Sequence, residues 1–214
     1  VGTAAGYITT DGDGNQITIF HAGAMLRAAG VDLTTIEDVS HVVVAADAAE
    51  AMALHCEQAV ALGARLLFAP AQQIPSMDDA QLLLGLRTAW CIVGNEYELH
   101  LIEERTGLTI DMLRERSLVA VTRSEHGSRI HTAEAVIDIP AAPVERVVDP
   151  TGAGDAYMAG LLHGLRRKLR LEVAGRIGAL VAALCVEQHG PQGHRLDVAS
   201  FERRFMQAFG SAIS

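Results

Sequence analysis

The run Asp149-Pro150-Thr151-Gly152-Ala153-Gly154-Asp155 places two glycines between two carboxylates. It stands between a short apolar stretch, residues 146–148, that reads as a strand, and a long helical pattern over residues 152–169. Glycines permit a tight turn and let a ligand approach the backbone closely. The N–H groups of Gly152, Ala153 and Gly154 would point out of the helix N-terminus, where the helix dipole favours an anion. Asp155 would then stand at the rim of an anion site. A carboxylate beside a bound phosphate is unfavourable unless it has a task, and the natural task is taking the proton of an attacking hydroxyl during phosphoryl transfer. The plainer alternative is a glycine turn with an Asp in the first turn of a helix. The run is not a P-loop, because Asp155-Ala156 stands where Lys-Ser/Thr would be required. It is not the dinucleotide fingerprint either, which follows the first strand of a βαβ unit, and this disfavours a nicotinamide-dependent oxidoreductase.

Two further groups have the right residue types. Asn95 and Glu98 follow an apolar run over residues 90–93 and share a helix face. An amide and a carboxylate there can hold a hydrated Mg²⁺ beside phosphate oxygens. Equally, Asn95 can cap the helix, with Glu98 completing a capping box. The segment Thr122-Arg123-Ser124-Glu125-His126-Gly127 follows the apolar run 118–121 and offers hydroxyls and a glycine for contact with a nucleotide. An ordinary loop is the alternative.

These groups need a scaffold. Apolar runs at residues 41–45, 65–69, 90–93 and 118–122 alternate with helical patterns at 48–62, 78–87 and 96–105. Gly63 and Gly107 stand as helix stops. Short strands are predicted at 129–131, 135–139 and 146–148, and helices at 152–169, 172–188 and 198–209. Apolar strands alternating with helices predict a doubly wound α/β fold, with a mostly parallel sheet and helices on both faces. Ligands in such folds bind beyond the carboxyl ends of the strands, where the three groups fall. Before this pattern, two β-prone runs flank Asp11-Gly12-Asp13-Gly14 and read as a hairpin. The run Asp11 to Asn15 resembles the start of a calcium loop, but Gln16 and Ala22 stand where Gly and Glu are needed, so it reads as a turn.

The 214 residues are half apolar and carry a net charge of −9. That balance supports a sizeable core and argues against a nucleic-acid surface. The basic cluster at Arg166, Arg167, Lys168 and Arg170 suits the end of a helix. Cys56, Cys91 and Cys185 form no CxxC pair and read as buried free thiols in a reducing, cytoplasmic setting. No apolar run is long enough to span a bilayer.

Taken together, these residues resemble the ribokinase-like (PfkB) family of carbohydrate and nucleoside kinases. The run Asp149 to Asp155 is similar to that family's second signature, and Asn95-x-x-Glu98 to its magnesium-associated motif. Thr122 to Gly127 looks like its nucleotide loop, with Ser124 where a glycine is common. The resemblance implies that Asp155 is the general base and that Gly152, Ala153 and Gly154 form the anion hole. It implies that Glu98 places Mg²⁺ through water and Asn95 lies near the ATP phosphates. Thr122, Ser124 and Gly127 would contact the nucleotide, and Ala179 and Ala183 would flank the adenine. Asp149, Thr151 and Gly190 occupy positions comparable to a potassium site.

Within the family the look is towards bacterial adenosine kinases, through residues 8–11, Asn15-Gln16, residues 20–25, Asn95 to Glu98, and the tail at 187–193. Ala22 replaces a proline expected there. The resemblance further implies that roughly a hundred residues normally precede this stretch. Those carry a Gly-Gly substrate motif and an acidic residue for the sugar hydroxyls. Residues 1–21, starting within what reads as a strand, would then be the remnant of a β lid, and 22–214 the nucleotide-binding domain. The expected activity is ATP-dependent phosphorylation of a hydroxymethyl group on a nucleoside or sugar, adenosine foremost. The alternatives are a sugar kinase of the same family, or an ATP-binding fragment without activity. A small-molecule substrate is expected, without nucleic acid or membrane, and with pairing of two copies through the lid.

Overall fold

The computed structural model describes residues 1–10, 16–195 and 197–213. The calcium-loop-like run Asp11 to Asn15 lies outside the described residues. The chain divides into two compact units, Val1–Trp90 and Cys91–Ser214.

The first unit opens with β1 (Ala5–Thr10) and β2 (Gln16–His21), paired antiparallel with Tyr7 opposite Ile19 and Ile8 opposite Thr18. Val1 to Ala4 precede the strand, so the chain does not begin within it. Tyr7, Ile17 and Ile19 are exposed on one face of the ribbon, and Ile8 and Phe20 on the other. Two 3-10 stretches, Gly23–Gly30 and Leu33–Thr35, lead to β3 (His41–Val44), α1 (Ala49–Ala61) and β4 (Arg65–Phe68). β3 and β4 are parallel, with Val42 opposite Leu66. A further 3-10 stretch, Ala71–Ser76, precedes α2 (Asp79–Thr88). Asp78 and Gln81 close a capping box on α2, at 2.8 and 3.0 Å. Met52, Leu66, Leu67, Phe68, Ile74, Leu82 and Leu86 form this unit's core. The Phe68 ring lies where a side chain on Gly85 of α2 would be, which draws that helix onto β4.

The second unit carries β5 (Cys91–Asn95), α3 (Glu96–Thr106), α4 (Ile110–Arg114), β6 (Leu118–Thr122), β7 (Ser128–His131) and β8 (Val136–Ile139). The helices α5 (Ala153–Arg166), α6 (Leu171–Val186) and α7 (Val198–Phe209) follow. β5 and β6 are parallel; β7 and β8 extend them antiparallel. Ile130 and Ile139 meet Gly175 of α6, while His131, on the opposite face, feels the charges of Arg114 and Asp111 of α4. Helices therefore cover both faces of these strands, as expected for an α/β fold. No helix among the described residues is long and apolar enough to cross a membrane.

One predicted element is absent. Residues 146–148 form no strand, because the N–H groups of Val148 and Asp149 both donate to the carbonyl of Val186, at 2.7 and 3.1 Å. The segment is tied to the end of α6 rather than to a sheet, and Val147 is exposed. The short helix α4, capped by Thr109, has no counterpart in the sequence reading.

The helices α5 and α6 pack closely through small residues. A Cβ on Gly160 would lie 2.8 Å from the Cα of Gly178, and one on Gly164 would lie 2.6 Å from the Cα of Ala174. Backbone cannot yield as a side chain can, so Gly160→Ala is expected to destabilise the protein by about 1–3 kcal/mol. Thermal unfolding reads this directly; an unchanged Tm would show that the helices separate freely.

Candidate active site

The Asp149 loop is built by internal hydrogen bonding. Asp149 Oδ1 accepts from the Thr151 N–H and Oδ2 from the Gly190 N–H, each at 2.9 Å. Hydrogen bonding from Thr151, first through its side chain and then its amide, followed by the Gly190 amide, holds the Asp149 carboxyl down at about 2. The Cys185 thiol lies beneath, 3.6 Å from the carbonyls of both Thr151 and Pro191. Burial raises the pKa of that thiol, and the charges of Asp149 and Asp155 add to the effect. Asp149, Thr151 and Gly190, grouped on the sequence as a potassium site, are thus brought together, with the carboxylate already accepting two amides. All three cysteines are buried and free, as expected.

Gly152 caps α5 with φ +85°, a left-handed conformation that glycine adopts without strain. A Cβ there would also strike Pro191, so shape and conformation both demand glycine. The Ala153 N–H donates to the Pro150 carbonyl at 3.2 Å. Among the described residues, the N–H groups of Gly152, Gly154 and Asp155 meet no acceptor. Gly154 faces open space, and Asp155 is exposed beside it. The open donors at this helix start are therefore those of 152, 154 and 155, with the Ala153 N–H turned inward. Such a cradle fits an anion.

Asn95 and Glu98 form the capping box that competed with a metal role. Asn95 Oδ1 accepts from the Glu98 N–H at 2.8 Å, and Glu98 Oε2 from the Asn95 N–H at 2.9 Å. The two residues end β5 and begin α3, and strand register puts Asn95 directly beside Thr122 at the end of β6. Thr122 in turn faces Ser128 across the antiparallel turn. Between them, residues 124–126 form a 3-10 turn, closed by the Arg123 N–H to the Gly127 carbonyl at 2.8 Å. Ser124 has φ +50°, so the position the resemblance marks as glycine-rich does need a left-handed residue. Gly127 has φ +80°, and a Cβ there would meet the backbone of residues 139–141. Ala179 and Ala183 lie one turn apart on α6, and both are buried.

Ser128 and Tyr157 carry no signal as site residues in the sequence, where Cys185 reads only as a buried thiol and Pro191 only as part of the 187–193 tail. Ser128 and Tyr157 share a buried hydrogen bond of 2.7 Å between hydroxyls. Tyr157 is distinguished only as the one hydroxyl-bearing aromatic of α5.

An α/β scaffold that gathers these groups at the ends of β5 and β6 and the start of α5 places them where such folds hold ligands. Residues 2–197 match the pfkB family carbohydrate kinase domain. A nucleoside kinase of Methanothermobacter thermautotrophicus is 32% identical over 97% of this chain, which spans 68% of that relative. A nucleoside kinase of Methanocaldococcus jannaschii is 31% identical over 89% of the chain, which spans 63% of it. The solved structure of Burkholderia thailandensis nucleoside kinase with inosine superposes with a TM-score of 0.95 at 36% identity, covering 98% of this chain and 71% of that one. The same kinase in complex with ADP-inosine gives 0.94 at 36% identity, covering 98% of this chain and 66% of that one. This chain belongs to the pfkB family of carbohydrate kinases, phosphotransferases acting on an alcohol acceptor.

The Asp149 bonds carry a pH signature. A carboxyl whose folded pKa is depressed stabilises the fold above its unfolded value, and that contribution is lost as pH falls through the folded value. The window runs from 3.8 down to about 2. The Tm of Asp149→Asn is expected to lie below wild type at neutral pH, with the gap closing across this window. A gap independent of pH would show that the charge of Asp149 is immaterial to the loop.

Proposed function

We propose that this chain is the nucleotide-binding part of a kinase that moves the γ-phosphate of ATP to a primary hydroxyl of a nucleoside, adenosine foremost. The observation that carries this reading is the start of α5, where open amides at Gly152, Gly154 and Asp155 adjoin an exposed Asp155 carboxylate. The Burkholderia relative's complexes with inosine and with ADP-inosine support a nucleoside acceptor and an adenine nucleotide donor.

The cradle fits the transferring phosphoryl group, because N–H donors fixed before reaction stabilise developing charge without reorganising. Asp155 accepts the acceptor hydroxyl's proton as the oxygen attacks. Thr122, Ser124 and Gly127 border the nucleotide, and Ala179 and Ala183 flank its base. ATP supplies the phosphoryl group and Mg²⁺ neutralises its charge. Glu98 fits a water-mediated role at that ion, since it stands with Asn95 at the end of β5. Asp149, Thr151 and Gly190 would border any potassium ion. Residues 1–21 are the remnant of a β lid, and residues 22–214 the nucleotide-binding domain. The exposed face of Tyr7, Ile17 and Ile19 suits pairing with a second copy.

In the complete protein, Asp155→Asn is expected to lower kcat at least about a hundredfold and to leave ATP affinity nearly unchanged. Release of ADP with adenosine, inosine or ribose as acceptor measures this and ranks the substrates. Near-normal turnover would remove Asp155 from the role of base.

Glu98→Gln separates capping from metal placement, because glutamine also completes a capping box. The Tm is expected to hold, while the Mg²⁺ concentration for half-maximal rate rises at least about tenfold. An unchanged Mg²⁺ requirement would leave Glu98 as a cap alone.

A further inference from the structure

Ser128 and Tyr157 are both buried, at 1% and 4% exposure, and their hydroxyls meet at 2.7 Å. Ser128 is one of only two buried polar or charged residues among the described ones. It immediately follows Gly127 and opposes Thr122, which itself stands beside Asn95. Tyr157 lies two residues beyond Asp155 on α5, about 200° around the helix. One residue therefore faces outward at the anion cradle while the other faces the strands.

The bond joins two parts of the site that the chain separates by 29 residues. The surrounding packing makes its hydroxyls matter. α5 rests on α6 through Gly160 and Gly164, against Gly178 and Ala174. Behind the Tyr157 ring, a Cβ on Gly178 would come within 3.0 Å of two ring atoms, so the ring cannot retreat towards α6. Apolar packing can retain such a ring, whereas a hydroxyl pair also fixes where its tip stands.

We propose that Ser128 and Tyr157 are a positioning pair, which sets the start of α5 and its Asp155 against the loop at residues 123–127. The proposal rests on the phosphotransferase reading above. Burial holds the Tyr157 phenol up at about 12, so the pair stays neutral and its bond persists across the working pH range. Neither residue touches substrate; both act through the placement of Asp155 and the cradle. Displacement of a reacting group on the order of 1 Å can cost about a hundredfold in rate, so a small relaxation is measurable.

The test uses Tyr157→Phe, Ser128→Ala and the double variant in the complete protein, with Tm, kcat and both KM values measured. Each single variant strands one buried hydroxyl and is expected to lose Tm. The double variant strands none and is expected to regain most of that Tm. Its kcat is expected to stay about tenfold below wild type, with KM for ATP and nucleoside within about twofold. A double variant with wild-type kcat would overturn the proposal, as would losses of kcat that follow the unfolded fraction and vanish on cooling. Asp155→Asn, measured alongside, separates the two readings. If it abolishes turnover while the double variant is normal, only the positioning role falls. If it retains turnover, the assignment of the base falls, and the positioning role with it.

Discussion

The close approach of α5 to α6 is the constraint on which the site depends. Two glycines of one helix lie against a glycine and an alanine of the other, at separations that leave no room for a Cβ. The link between the helices is short, so they run antiparallel and the start of α5 lies beside the end of α6. The helix dipoles then oppose one another favourably. The end of α6 thereby reaches the Asp149 loop: the Val186 carbonyl takes two amides of that segment, and the Cys185 thiol meets the Thr151 carbonyl. A bulkier contact between the helices would move all of these groups away from the start of α5.

Within that frame the two carboxylates of the glycine run have different fates. Asp149 spends its oxygens on the amides of Thr151 and Gly190, joining the loops on either side of the α5–α6 hairpin. Asp155, on the first turn of α5, stays exposed. One carboxylate thus shapes the cradle while the other is available at its rim. The same economy holds at β5, where Glu98 both completes the cap of α3 and borders the ends of the strands. Further support comes from α7, where Arg204 grips both oxygens of Glu187 at 2.6 and 2.8 Å, and Glu187 also accepts the Glu145 amide. That network steadies the segment leading into Asp149.

Much of this was legible in the residues. Alternating apolar and helical stretches defined the α/β class, because strands covered on both faces must be apolar throughout. The glycine run marked the start of α5, because its conformation is local. Gly152 needs φ +85° whatever lies beyond it. Capping was legible for the same reason: Asn95 and Glu98 are three residues apart, and their bonds are local. The odd Ser124 also carried meaning, since its left-handed backbone is where glycine would relieve strain.

What the sequence by itself determined, then, were the features settled within a few residues: strand and helix types, caps, and the glycine turn with its acid. Tertiary structure alone decided the rest. Residues 146–148 have the composition of a strand, yet the Val148 amide, with that of Asp149, is claimed by the Val186 carbonyl far along the chain, an alternative no local pattern displays. The partnership of Ser128 with Tyr157 exists only because α5 and β7 meet. A hydroxyl says that a partner is needed, and only the packing says which one.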